Sequence, residues 1–175
     1  LTPEQRKVLS TANVPQKLHF SFRSQGWLDV LDWFAKQAGL ALIMDEAPSG
    51  EFTYSDAKEY TPSEAIDLLN SVLLTKGYTL SRRERMLLLI KLGESIPYDL
   101  IEQIPPDQID RFGKFELVTV VFPIGNRPAD AIKAEVEPLL GTYGRCVALP
   151  TSKQVHITDT AGKMHAIGSL IGSVP

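Results

Sequence analysis

One cysteine, no long apolar run and no excess of positive charge set the first limits on this chain. Cys146 stands alone, so it forms no intramolecular disulfide and builds no metal cage by itself. The redox state of the compartment therefore leaves no mark on the sequence. No apolar run approaches the roughly 20 residues that a membrane helix needs. The longest clusters, LALIM (Leu40–Met44) and MLLLI (Met86–Ile90), have strand length. The net charge is −3, which argues against the clustered Lys and Arg excess of a nucleic-acid footprint. No Gly-x-Ser-x-Gly, Walker loop, His-Glu-x-x-His or Gly-x-Gly-x-x-Gly run occurs. The residues require no catalysis, and they designate no catalytic, cofactor-binding or metal-binding group. No signal peptide is visible. A chain that starts at Leu1 is expected to be a trimmed or processed form.

What is present suffices for folding. Hydrophobic residues make up 43% of 175, enough for a buried core and for one medium domain or two small ones. Residues 1–16 are polar with two prolines and read as a leader. Leu18–Phe22 alternates apolar and polar with the period of a half-buried strand. Trp27, Val30, Leu31, Phe34 and Ala38 then recur at helical steps, and Gly39 supplies the stop. LALIM reads as a buried strand, APSG as a turn and GEFTYS as a short strand. The next helix is the clearest. Thr61 is placed to cap it, Pro62 suits its first position and Glu64 completes a capping box. Ala65, Leu68, Leu69, Val72 and Leu73 form its expected buried face, and Gly77 ends it. YTLSR and RMLLLIKL read as a hairpin around a charged turn.

Gly93–Lys114 carries three prolines and reads as a linker that partly packs. A second pattern follows: a strand over Phe115–Ile124, then a helix entered through Pro128. Ile132, Val136, Leu139 and Leu140 are expected to face inward, and Pro138, near the end of the helix, is expected to kink or close it. Two strands, GRCVALP and QVHIT, lead to a last helix with Met164, Ile167, Leu170 and Ile171 on one face. The first module is thus β-α-β-β-α-β-β and the second a KH-like β-α-β-β-α. The fold class is α+β, with short sheets and helices on one face.

Several residues invite a sharper reading. Thr158-Asp159-Thr160 places a carboxylate between hydroxyls, and the same pattern is that of a helix cap. Cys146, His156 and His165 lack the close pairing that zinc sites show. Gly141-Thr142-Tyr143-Gly144 matches the loop of a KH clamp, but it joins a helix to a strand and carries no basic residue inside it. A helix stop and turn fit it better. Arg82, Arg83 and Arg85 surround Glu84 at the hairpin tip. That is the pattern of a solvated turn, or of a docking contact for an acidic partner.

The order of these weak motifs carries a resemblance. Phe20-Ser21-Phe22, Val30–Leu40, Gly50-Glu51-Phe52-Thr53, Ala65–Leu69 and Gly77-Tyr78 make residues 17–92 resemble the first periplasmic N-domain of bacterial secretins. That domain is similar to the short domain ahead of some TonB-dependent receptors. Val121–Ile124, Pro138–Leu140 and Thr158-Asp159-Thr160 make residues 115–175 resemble the ring-building N-domain that follows, with residues 93–114 as the Pro-rich linker. The resemblance implies a non-catalytic periplasmic part of an outer-membrane channel, most like the type II secretion protein D. It implies docking of an inner-membrane component, contact with secreted proteins and self-association into a ring. It implies no nucleic-acid partner, no cofactor and no membrane contact by these residues themselves. An unpaired sheet edge is a template for another strand. Leu18, Phe20 and Phe22 on the first strand, and Arg82, Arg83 and Arg85 at the tip, are the expected partner-binding residues. A soluble or receptor-linked adaptor with the same first module is the alternative, and a KH-like nucleic-acid binder a more distant one.

Overall fold

A computed structural model describes residues 17–93 and 96–172. The expected leader, residues 1–16, lies outside the described residues. The first half runs β1 (Leu18–Gly26), α1 (Trp27–Ala38), β2 (Ala41–Ile43), β3 (Glu51–Tyr60), α2 (Pro62–Leu73), β4 (Tyr78–Arg83) and β5 (Met86–Lys91). The second runs β6 (Gln103–Ile104), β7 (Leu117–Pro123), α3 (Ala129–Val136), β8 (Arg145–Leu149), β9 (Gln154–Thr160) and α4 (Ala161–Ile171). The class is α+β, in three small sheets ordered β1-β3, β2-β5-β4 and β6-β7-β9-β8.

Local chemistry explains most of the boundaries. The Thr61 hydroxyl accepts from the Glu64 N–H at 3.2 Å, and the Glu64 carboxylate accepts from the Thr61 N–H at 3.3 Å. This is the reciprocal capping box read from the sequence. The buried face of α2 is rotated from the expected one. Ala65, Ile66, Leu69, Asn70 and Leu73 are buried, while Leu68 and Val72 are only half-buried. In β1, Leu18 and Phe20 point into an aromatic core. The Phe20 ring meets Tyr60 and Trp33 edge-on at centroid distances of 5.2 and 5.4 Å. Burying such a ring contributes about 1.5–3 kcal/mol.

LALIM is not a buried strand. Only Ala41–Ile43 is extended; it pairs parallel to β5 at the sheet edge, with Ile43 47% exposed. GEFTYS extends instead to the ten residues of β3, which pairs antiparallel with β1. The Pro-rich segment after Gly93 contributes a strand, because β6 pairs parallel with β7. Its Ile104 and Ile109 enter the core of the second half, formed with Val118, Val120, Phe122 and the inner faces of α3 and α4. Leu139, expected to face inward, is 49% exposed. Pro138 sits in a single 3₁₀ turn that follows α3 and turns Leu139 away from the core.

The Thr158-Asp159-Thr160 reading also changes. All three residues belong to β9, and α4 follows with no intervening loop. No side chain caps α4 at Thr160. Its first free donors, the N–H groups of Ala161 and Gly162, bond instead to the carbonyls of Glu116 and Lys114 at 2.9 and 3.0 Å. A Cβ at Gly162 would lie 2.9 Å from the Lys114 oxygen, so this approach needs glycine. Asp159 holds a loop in place. Its buried carboxylate accepts from the Gly141 N–H at 2.7 Å and clamps the start of Gly141–Gly144.

Candidate functional site

The expected partner-binding residues fall into two places with different roles. On β1, the side chains of Leu18 and Phe20 are buried, and Phe22 is half-buried against Trp33 and Phe52. Leu18 and Phe20 build the core, and Phe22 packs partly against it. What β1 offers outward is its backbone edge and the alternate residues His19, Ser21 and Arg23, which are exposed. The β1-β3 sheet has two strands, so among the described residues no strand covers the side of β1 away from β3. Two register shifts, one between His19 and Ser21 and one between Phe22 and Gln25, bend the strand.

Beneath this surface, β3 carries a hydrogen-bonded cluster. The Tyr60 hydroxyl donates to Asp56 Oδ2 at 2.7 Å and lies 2.7 Å from the Tyr54 hydroxyl. The Tyr60 donor, joined by the Lys58 N–H, holds the Asp56 carboxyl below its ordinary value of 3.8. The Tyr54 hydroxyl and the Asp56 carboxylate push the Tyr60 phenol above its ordinary 10.

The three arginines of the hairpin tip do different things. Arg82 turns inward. Its Nη2 and Nε bond Glu116 Oε1 and Oε2 at 2.9 and 3.0 Å, and its own N–H adds a bond of 2.9 Å. Glu116 is fully buried and also accepts from the Gly113 N–H at 3.0 Å. The Arg82 guanidinium further reaches Ser63 Oγ and the Arg111 carbonyl at 3.1 and 3.0 Å and lies over the Phe112 ring. Arg83 donates to the Asp99 carbonyl at 2.7 Å. Arg85 is exposed, and its guanidinium has no hydrogen-bonding partner among the described residues.

Arg82 therefore belongs to a junction between the two halves. Asn70 is part of it: the Leu80 N–H donates to its Oδ1 at 2.7 Å, and its Nδ2 bonds the Leu80 and Phe115 carbonyls at 3.2 and 3.4 Å. Asp67 accepts from the N–H groups of Lys114 and Phe115 at 3.1 and 3.0 Å. The Ser81 hydroxyl donates to the Leu117 carbonyl at 2.9 Å. Leu88, Ile90 and Leu92 on the second face of the hairpin pack with Ile101 and Leu117. Sequence reasoning missed Asn70, Glu116 and Asp67. The available signal was Asn70, a polar residue at a helical step from Ile66 and Leu73 on the face that became buried.

Cys146 is buried, and removal from water pushes its thiol up to about 11. His156 lies 3.4 Å from Gln154, and His165 bonds Asp110 at 2.7 Å. Cys146 and the histidines are not brought together, and no cluster of metal-ligating side chains occurs among the described residues. No helix among them is long and apolar enough to cross a membrane.

No family model matches the sequence, and no curated protein matches it. Solved structures do. A chain of the Klebsiella pneumoniae type II secretion system outer membrane complex, containing PulD, PulS and the PulC HR domain, superposes with a TM-score of 0.62 at 16% identity, over 88% of this chain and 26% of that one. At that identity the likeness shows a shared fold. The N-terminal domain of the secretin XcpQ from Pseudomonas aeruginosa matches 89% of this chain at 17% identity, with a TM-score of 0.38. This chain spans 64% of that XcpQ structure. The enterotoxigenic Escherichia coli GspC-GspD complex matches over 90% of this chain and 98% of that one, at 13% identity and a TM-score of 0.37. At these identities it is the secretin-type fold that is shared.

Proposed function

We propose that this chain is a non-catalytic protein-interaction segment of a secretin-type outer-membrane channel and works in the periplasm. The observation that carries the reading is the 0.62 superposition on a chain from a complex that includes the PulC HR domain. In this reading, residues 17–92 dock an inner-membrane secretion component and residues 115–175 pack side by side in a ring. Residues 93–114 join them as a packed connector. The docking chemistry is strand addition: the edge of β1 that no strand covers among the described residues offers N–H and C=O groups, which set register, while exposed side chains select the partner. Leu18, Phe20 and Phe22 serve by holding β1 rigid from below. At the tip, Arg85 is the arginine available to an acidic partner, and Arg82 and Arg83 position the hairpin.

Site-specific photo-crosslinking in cells tests this. A photoreactive residue is placed at His19, Ser21, Arg23 or Arg85 of the full-length protein. The expected product at the β1 positions is an adduct with the inner-membrane component of the secretion system. Adducts at none of the four positions, with the protein folded and exported, would overturn the docking assignment.

A further inference from the structure

At the edge that no strand covers among the described residues, the two faces of β1 differ in chemistry. Outward lie Lys17, which precedes the strand, and His19, Ser21 and Arg23, all exposed. Residues 17–26 include Lys17 and Arg23 and no acidic residue, in a chain whose net charge is −3. Lys17 lies 3.8 Å from Glu59 of β3, with the two side chains 64% and 61% exposed, so this pair is loose. Arg23 has no hydrogen-bonding or ion-pair partner among the described residues. A bulge sets its position. From Phe22 to Gln25, β1 takes three steps against the two that β3 takes from Tyr54 to Phe52. The Ser24 N–H donates to Thr53 Oγ1 at 2.8 Å and holds the bulge in place beside Arg23.

The inward face is aromatic. Phe20 is buried, while Phe22 and Trp33 of α1 are only half-buried. Trp33 meets the Phe20 and Phe22 rings at centroid distances of 5.4 and 4.9 Å. The rings of β3 are Phe52, Tyr54 and Tyr60, and Trp33 stacks on none of them; Phe20 and Phe22 make those contacts. Trp33 therefore lies on the side of β1 away from β3, under the uncovered edge. A strand added there places its inward side chains next to Phe22 and over Trp33, because neighbouring strands stand their side chains side by side on each face.

We propose that this edge selects a foreign strand whose side chains alternate between acidic and apolar. A carboxylate sits beside Arg23 on the outer face, and an apolar side chain covers Trp33 and Phe22 on the inner one. The proposal rests on the strand-addition reading and adds the partner's chemistry to it. Unlike charges directly opposed across two strands stabilise the pairing, and like charges oppose it. Residues 1–16 do not supply such a strand, since they hold Glu4 against Arg6 and Lys7.

Amide NMR titrations of the whole 175-residue chain with three capped peptides test the proposal: Glu-Val-Thr-Val-Thr-Val-Glu, Lys-Val-Thr-Val-Thr-Val-Lys and Glu-Ser-Thr-Ser-Thr-Ser-Glu. Charges at both ends serve either strand direction. Saturable shifts of the His19, Ser21 and Arg23 amides and of the Trp33 indole N–H are expected with the Glu/Val peptide. The Lys/Val peptide is expected to bind about fivefold more weakly, as an attractive cross-strand charge pair becomes a repulsive one. The Glu/Ser peptide is expected to bind about tenfold more weakly, from lost apolar burial. Arg23→Glu, at an exposed position, should remove or reverse the charge preference. Equal affinity for the Glu/Val and Lys/Val peptides, or a preference that survives Arg23→Glu, would overturn selection by charge. Equal affinity for the Glu/Val and Glu/Ser peptides would overturn the apolar contact with Trp33. Shifts of the same amides on raising the chain concentration without peptide would give the edge to a second copy and overturn the foreign strand. No saturable β1 shift with any peptide would overturn the proposal, whereas strand docking itself stands or falls by the crosslinks formed in cells.

Discussion

Replacing Arg82 with leucine removes the cation that faces Glu116 in the junction. Glu116 is fully buried, while the Arg82 side chain is 18% exposed. An ion pair on the surface contributes about 0–1 kcal/mol. A buried pair behaves differently: deleting one partner strands the other charge in a dry site and costs about 3–5 kcal/mol. The Glu116 end decides the case, because its carboxylate cannot move to water without opening the junction. Two main-chain donors, from residue 82 and Gly113, remain to it after the substitution, and Arg82 has some solvent already. These place the expected loss at the low end, about 3 kcal/mol. That is a large share of a typical total of about 5–15 kcal/mol and lowers Tm by roughly 6–12 °C for a chain of this size.

Urea unfolding with linear extrapolation measures the loss. Both tryptophans, Trp27 and Trp33, sit in the first half, so fluorescence follows that half and far-ultraviolet circular dichroism follows both. The two curves are expected to coincide in the wild type and to separate in Arg82→Leu, because the junction couples the halves. The double variant Arg82→Leu/Glu116→Gln keeps the acceptor oxygen and removes the stranded charge, so it is expected to recover more than half of the loss. A single variant that loses less than about 1 kcal/mol behaves as a surface pair and refutes the reasoning. So does a double variant no more stable than the single one. The result also bears on docking: reversing all three arginines at once would break this pair, so the clean docking variant is Arg85→Glu alone.

Asn70→Ala leaves the Leu80 N–H and carbonyl without their side-chain partner in a buried site. It is expected to cost about 2–3 kcal/mol in the same unfolding assay and to speed hydrogen exchange at the Leu80 amide. The Asp56–Tyr60 cluster makes stability depend on pH at both extremes. Asp56 is depressed, so its contribution is complete above its ordinary 3.8 and is lost as pH falls through the lower native value. Tyr60 is raised, so its contribution is complete below 10 and is lost as pH rises through the higher native value. In Asp56→Asn, the Tyr60 phenol is expected to titrate closer to 10 by ultraviolet absorbance. The Cys146 thiol, held up to about 11 by burial, is expected to resist a disulfide reagent at pH 8 until the chain is unfolded in urea.

Much of the architecture was legible because it is written in local chemistry. The Thr61–Glu64 box, the glycine stops and the two-residue and 3.6-residue periods depend on neighbours in sequence. They gave the order of elements, and that order carried the resemblance to secretin N-domains. The errors came where a side chain's partner is remote. MLLLI carries no alternation because β5 is buried on both faces: Leu87 enters the first core, and Leu88 and Ile90 enter the junction. LALIM looks just as apolar, yet β2 lies at a sheet edge, and only the pairing with β5 reveals it. Thr158-Asp159-Thr160 has the composition of a cap, but the donors of α4 found the Lys114 and Glu116 carbonyls first.

The charged hairpin tip marks the division most sharply. A run of Arg82, Arg83, Glu84 and Arg85 fixes a turn, since charge is costly to bury and a turn leaves it in water. Whether any one of those charges is exposed depends on what folds against it. Tertiary structure brought Glu116 from 34 residues away to meet Arg82 and left Arg85 in solvent. The sequence determined that a charged turn would form here. Only the packing of one half on the other decided which arginine holds the molecule together and which faces outward, because a buried charge is tolerated only where its counter-charge is already in place.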